Sequence, residues 1–481
     1  MNFAIVCYLI GWMLGIESIF LLLPALTAVI YGEPELPAYL IAAAISLAGA
    51  ALLCHRKPKN TRFYAREGYV TVALCWLILA VIGALPFVLS REIPFFIDAL
   101  FETVSGFTTT GATILGDVEA LSHASMLWRC LTHWVGGMGV LVFMLIVLPL
   151  AGGQTIFLMR AESPGPSVSK MSPHMRDTAT ILYAIYFGLT VLQMILLLIG
   201  GMPFFDAICV SLGTAGTGGF GNWNDSIAHY NSAYLQNVIT VFMILFGINF
   251  SAYFLILTRK FRQAFRIEEI RVYLGVIFVF AGLIAFNVRP MFGSLRESFH
   301  HALFQVASII TTTGFSTVDF DQWPTFSRAL LVLLMFIGAC AGSTGGGIKC
   351  SRILLLGKSV KKELMCLIHP RLVRVNKMDG QRVPHEVMRS INVFVVAYAF
   401  IFILSLLIIS LNCEDLVTCF TSVATTLNNV GPGLSLCGPT CNFGFFPPLS
   451  KGVLIFDMLA GRLELFPMLL LFTPGTWQRN K

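Results

Sequence analysis

Ile310-Thr-Thr-Thr-Gly-Phe315 follows an apolar stretch, and the same arrangement stands at three other places: Phe107-Thr-Thr-Thr-Gly-Ala112, Ala215-Gly-Thr-Gly-Gly-Phe220 and Leu427-Asn-Asn-Val-Gly-Pro432. Aligned without gaps on Gly111, Gly219, Gly314 and Gly431, the segments recur at intervals of 108, 95 and 117 residues, which is a fourfold internal duplication. The apolar stretches before the turns, residues 96–107, 204–215, 298–310 and 415–427, are helical in pattern. At 1.5 Å per residue each spans ~18 Å, about half a bilayer core, so each must re-enter rather than cross. Irregular backbone at membrane depth is tolerated only where it is buried in protein or lines a watery cavity. Four such turns therefore face inward together, and a ring of this kind in a membrane implies an ion pathway.

The surrounding composition fits a bilayer solvent: 56% of the 481 residues are hydrophobic and only 12% are charged. Ten apolar runs are long enough to span, near residues 3–30, 37–54, 69–90, 124–150, 178–200, 232–257, 272–288, 325–353, 390–411 and 452–475. The first lacks a basic leader and a small-residue cleavage site, so it reads as a retained helix. The expected fold class is an all-α polytopic membrane protein: four units of helix, half helix, turn and helix around a pseudo-fourfold pore, after two additional N-terminal helices. The corresponding boundaries are 1–68 for the N-terminal pair, then 69–151, 178–258, 271–354 and 388–481 for the pore repeats.

The net charge of +7 is explained by distribution rather than by a nucleic-acid partner. Lys and Arg gather at 56–66, 160–176, 259–271 and 349–389, segments that share one side if every run crosses. The positive-inside rule makes that side cytoplasmic, with both termini there. The opposite loops carry Asp117, Glu119, Asp225, Asp319, Asp321, Glu414 and Asp415, a set able to concentrate cations. On the same outer side Cys437-Gly-Pro-Thr-Cys441 has the spacing of a possible disulfide; the other cysteines lie mostly in apolar runs and define no metal site.

The turns have the chemistry of a cation filter. A dehydrated potassium ion needs several weak oxygen ligands at once, and a circle of backbone carbonyls supplies them. Presenting successive carbonyls to one axis demands unusual backbone angles, which glycine reaches at no steric cost. The half helices end at the turns, so their C-terminal dipoles add partial negative charge there. The candidate ligand residues are Thr109, Thr110 and Gly111; Thr217, Gly218 and Gly219; Thr312, Thr313 and Gly314; and Asn429, Val430 and Gly431. The hydroxyls of the threonine runs either bond behind the ring or line it.

A candidate gate lies below this filter. Gly338, Gly342, Gly345, Gly346 and Gly347, with Lys349, interrupt the run at 325–353, which as one helix would be ~45 Å long. A loop there is placed to plug the pathway. Its glycines do not form a phosphate loop, since Ile348 separates the last glycine from Lys349 and no strand precedes them. Arg462 falls near the middle of the final run, where a charge must face the pore or a polar partner, and it is expected beside that loop. Glu464 is two positions away and points elsewhere, while Arg129 is expected to snorkel from the outer end of its helix.

The four turns, together with Trp134-Val-Gly-Gly-Met-Gly139, Ala341-Gly-Ser-Thr-Gly-Gly-Gly-Ile-Lys349 and Gly461-Arg-Leu-Glu464, resemble the TrkH family of bacterial potassium-uptake subunits over essentially the whole chain. That family belongs to a superfamily with KtrB and the plant HKT transporters. The resemblance implies potassium (K+) as the transported ion, a homodimer in the bacterial inner membrane, and a cytosolic TrkA-type nucleotide-binding partner. It also implies that serine at the first filter position goes with sodium transport; Gly111 holds that place here. The fourth turn departs most, lacking threonine and adding Pro432. A cation-coupled secondary transporter is the principal rival, and it predicts inverted rather than parallel repeats. An intramembrane enzyme would require a catalytic dyad or ligand cluster within the spans, and the sequence offers neither that nor an organic-cofactor fingerprint.

Overall fold

A computed structural model describes residues 1–58, 64–147, 175–371 and 375–478. Helices α1 (Phe3–Tyr31) and α2 (Leu36–Cys54) form an antiparallel hairpin. The hairpin turns at Gly32, whose left-handed φ of 69° lets its N–H bond Ala28 O. The chain then runs through α3 (Ala65–Ser90), the half helix α4 (Phe96–Phe107) and α5 (His123–Val147). Next come α6 (Met175–Ile199), the half helix α7 (Phe204–Gly216), α8 (Ala233–Phe246) and α9 (Phe250–Leu257). They are followed by α10 (Glu268–Val288), the half helix α11 (Leu295–Ile310), α12 (Thr325–Ile337) and α13 (Cys350–Ile368). The last group is α14 (His385–Ile409), the half helix α15 (Leu416–Leu427), α16 (Pro448–Arg462) and α17 (Phe466–Leu471). Among the described residues six helices are long and apolar enough to cross a membrane, seven if the bent pair α8–α9 counts as one, so the protein is a multi-pass, all-α membrane protein.

The half helices lie where their apolar length and their turn residues put them, within three residues at each end. Side-chain caps start two of them: Ser294 Oγ accepts from Glu297 N at 3.2 Å, and Asp415 accepts from Thr418 N at 3.0 Å. Each copy's following helix packs on the next copy's half helix: α5 on α7, α8 on α11, α12 on α15, and α16 back on α4. The cycle closes, and a buried ion pair reinforces the closure, with Lys451 Nζ 2.6 Å from Asp98 Oδ1.

Three of the ten apolar runs are not single helices. The run at 232–257 bends by 93° between α8 and α9, where Asn249 Oδ1 accepts from Ser251 N at 2.8 Å and restarts the helix. The run at 325–353 breaks as expected, giving a loop between Ile337 and Cys350. The final run, expected as one helix, stops after Arg462, because Glu464 and Leu465 adopt positive φ of 55° and 69°. The basic stretch 349–389 is not merely a polar linker: it holds α13 and a two-stranded hairpin, Lys377–Met378 with Gln381–Arg382. The basic cluster at 160–176 and the end of the first repeat, 148–151, lie outside the residues whose contacts are described.

Candidate ion pathway

All four half helices end in the same backbone motif. Thr109, Thr217, Thr312 and Asn429 adopt left-handed φ of 56°, 55°, 58° and 56°. The next residue's N–H reaches back five residues, Thr110 to Ser105 O, Gly218 to Gly213 O, Thr313 to Ser308 O and Val430 to Thr425 O, at 2.8–2.9 Å. This is a Schellman closure, with threonine or asparagine where glycine is usual. A side chain in the left-handed region costs about 1 kcal/mol or more, and the sequence carries that cost four times. Two residues later Gly111, Gly219, Gly314 and Gly431 have φ of 81°, 79°, 89° and 97°, turning each chain outward again.

The glycines also set how close the strands come. A Cβ on Gly111 would overlap Gly218 O, one on Gly219 Thr313 O, one on Gly314 Val430 O and one on Gly431 Thr110 O. These contacts run from the first turn to the second, third, fourth and back to the first. The four turns thus meet in one ring, and all four glycines line a single cavity of about 130 Å³. The carbonyls of Thr110, Gly218, Thr313 and Val430 accept no hydrogen bond from the described residues. Oxygens in that state need another partner.

Hydroxyls of the threonine runs pair with one another. Thr108 and Thr110 Oγ1 pair at 2.8 Å, and Thr311 and Thr313 Oγ1 at 2.7 Å, stiffening the turns from behind. In the fourth turn Asn429 replaces a threonine, and its Nδ2 donates to Thr110 Oγ1 at 3.0 Å and to Met458 O at 2.9 Å, bridging to the first turn. His133 on α5 does the same between the first and second copies: its Nδ1 meets Gly106 O at 2.8 Å and Phe220 N donates to its Nε2 at 3.1 Å. That geometry fixes the neutral tautomer with the proton on Nδ1. Gly136 and Gly137 beside it have a packing reason, since a Cβ at Gly136 would overlap Phe107 O and one at Gly137 the Cα of Gly216.

Arg129 does not snorkel. It is 2% exposed, with Nε 2.8 Å from Glu102 Oε1 and its guanidinium 4.1 Å above the Phe220 ring. Glu102 in turn accepts from Thr113 Oγ1 at 2.9 Å and Ile114 N at 3.0 Å, so the pair fastens the outward leg of the first turn. Sequence reading missed His133 and Glu102 because each works through partners distant in the chain. Glu102 carried one available signal, a carboxylate inside an apolar half helix.

The glycine loop lies against the inner side of the turns. Thr312 Oγ1 accepts from Gly346 N at 2.6 Å, and Asn428 O from Gly347 N at 3.0 Å. Gly338, Gly342, Gly347 and Lys349 have φ of 70°, 72°, 77° and 82°, and Lys349 Nζ folds back to donate to Gly345 O. Arg462 sits beside the loop as expected, donating to Thr344 O at 2.7 Å and to Gly136 O at 2.8 Å. Glu464 pairs instead with Arg352.

Cys437 is buried and Cys441 exposed, and the two are not joined in a disulfide. Of the acidic residues, Asp117 accepts from Asn224 Nδ2 at 2.7 Å, Asp319 from Asp321 N at 3.1 Å, and Asp415 caps α15. Hydrogen bonds from Asn224 and the Glu119 N–H hold the Asp117 carboxyl below its usual range.

Re-entrant half helices, a closed ring of glycine turns and a loop on the inner side define a polytopic membrane protein of the pore-loop class. A model of the TrkH family, described as cation transport proteins, matches residues 37–478, and the chain belongs to that family. It is 38% identical over 484 residues to the Trk system potassium uptake protein TrkH of Escherichia coli (strain K12), covering 99% of this chain and 100% of that one. Identity to the Trk system potassium uptake protein TrkG of the same organism is 33%, covering 98% of each. The crystal structure of the potassium transporter TrkH from Vibrio parahaemolyticus superposes with a TM-score of 0.89 at 33% identity, covering 99% of this chain and 100% of that one.

Proposed function

We propose that this chain takes up potassium across the bacterial inner membrane, through a filter made by the turns at Gly111, Gly219, Gly314 and Gly431. The observation that carries the reading is the closed ring in which the carbonyls of Thr110, Gly218, Thr313 and Val430 accept no hydrogen bond from the described residues. Such oxygens replace the hydration shell of a cation without the strong field of a carboxylate. The relatives at 33–38% identity are potassium uptake proteins by name, which supports potassium as the cargo. Repeats at 69–151, 178–258, 271–354 and 388–481 would each supply one quarter of the filter.

The loop from Gly338 to Lys349 is the gate in this reading, held by Arg462, whose charge opposes cations just below the filter. A TrkA-type nucleotide-binding ring would dock on the basic cytoplasmic face, α13 and the hairpin included, with two copies of this chain side by side. Both termini would be cytoplasmic.

The test is rubidium-86 uptake into proteoliposomes holding the purified chain, with competing potassium or sodium and Gly111→Ser in parallel. The expected result is uptake blocked far better by potassium than by sodium, with that preference reduced by the serine. Flux that stays absent after the cytosolic partner is added, in well-folded protein, would overturn the reading.

A further inference from the structure

The gate loop is irregular over twelve residues, most of them buried, so something must hold both of its ends, and one side chain does. Glu269, in the first turn of α10, is 3% exposed and belongs to neither the turns nor the loop. Its Oε1 accepts from Ala341 N at 2.7 Å and from Ser351 N at 3.0 Å. The first donor lies just after the loop's start and the second at the head of α13, so a single oxygen clasps the loop at entrance and exit. Backbone bonds support the same closure, with Cys350 N donating to Ala339 O at 3.0 Å and Cys340 N to Gly247 O at 3.1 Å. Those partners are neutral; the Glu269 bonds are charge-assisted, roughly twice as strong, as are those of Lys349 and Arg462 to loop carbonyls.

The clasp is also tied to the cytoplasmic surface. Glu268, its neighbour, pairs with Lys358 on α13, and its own N–H donates to Asp379 Oδ1 in the hairpin at 2.7 Å. Lys358 Nζ reaches Lys377 O at 2.8 Å. The end of α10 that carries Glu269 therefore moves with the hairpin.

We propose that Glu269 is the latch of the gate loop: a positioning residue that keeps the loop closed by holding Ala341 N–H and Ser351 N–H together. The proposal rests on the loop being the gate. Removing the acceptor frees both ends while leaving the four turns untouched, so flux rises and ion preference does not change.

The experiment measures partner-independent rubidium-86 flux and the rate at which a water-soluble methanethiosulfonate labels Cys340, within the loop, and Cys350, directly after it, both of them buried. Glu269→Leu is expected to raise flux by about tenfold or more, since two hydrogen bonds to a charged group are lost. It should speed labelling of both thiols and keep the wild-type potassium-over-sodium preference. Glu269→Asp, one methylene shorter, should lie between; Glu269→Gln, whose amide oxygen still accepts both N–H groups but without the charge, should show the smallest rise. A chain lacking residues 343–346 is the control. If it conducts freely while Glu269→Leu and Glu269→Asp behave as wild type, the latch is refuted. If shortening the loop raises nothing either, the gate reading falls and the latch with it. Should the leucine protein fail to fold, the aspartate and glutamine pair still decides the matter.

Discussion

Replacing the turn glycines one at a time by alanine should damage ion preference in a graded order that the structure dictates. All four have φ between 79° and 97°, so each alanine carries a similar backbone cost of about 1–2 kcal/mol. The steric cost differs. A Cβ on Gly431 would stand 2.6 Å from Thr110 O and one on Gly314 2.5 Å from Val430 O, while those on Gly111 and Gly219 would be closer still to Gly218 O and Thr313 O. Restoring a 3.0 Å contact requires about a 0.4–0.5 Å retreat at Gly431 and Gly314, and clearly more at the other two. Overpacking of that kind adds about 1–3 kcal/mol, and the atom that yields is itself a filter carbonyl. Gly111→Ala and Gly219→Ala should therefore lower the potassium-over-sodium preference about tenfold or more, with Gly314→Ala and Gly431→Ala milder. Competition of potassium and sodium against rubidium-86 uptake gives the ratio directly. Gly275→Ala on α10, where a Cβ meets nothing within 4 Å, should leave it unchanged. Four equal losses, or a wild-type ratio for Gly111→Ala, would refute the ring geometry as the source of selectivity.

Arg129→Met strands the Glu102 carboxylate and should cost about 3–5 kcal/mol of stability, read from thermal unfolding in detergent. The double variant with Glu102→Leu should recover part of that loss, which a double-mutant cycle measures. His133→Phe leaves Phe220 N–H unpaired, while Gly106 O keeps its bond from Thr109 N, and should cost roughly 1–3 kcal/mol, with weaker ion preference because Phe220 follows Gly219. At Asp415, hydrogen bonds from Thr418 foremost, then Ser435, hold the carboxyl down to about 2. A depressed value contributes stability that is complete above the unfolded value of about 3.9 and is lost as pH falls through the folded one. Unfolding curves between about pH 4 and pH 2 should thus flatten in Asp415→Asn, which keeps the cap and removes the charge.

Local sequence was sufficient for everything that depends on apolar length and turn chemistry. A twelve-residue hydrophobic stretch ending in glycine cannot cross a bilayer, so the half helices, their fourfold repetition and the inward ring follow from the chain alone. The break within 325–353 follows too, since glycines crowd a run too long for one span. Charge placement was less legible. Arg129 reads as a snorkelling residue when only its depth is known, and its partner Glu102 lies on a different element 27 residues away.

Tertiary structure decided what depends on partners remote in sequence. Asn429 meets Thr110 across 319 residues and Arg462 meets Gly136 across 326, distances over which periodicity carries no information. At the end of α8, Cys340 N donates to Gly247 O and Thr344 Oγ1 to Phe246 O, partners that hydropathy does not reveal. Glu269 looks in sequence like one more acid in a first helical turn. Only the fold brings both ends of the glycine loop to its oxygen, because burial of polar groups must be compensated in space and the chain order does not say where.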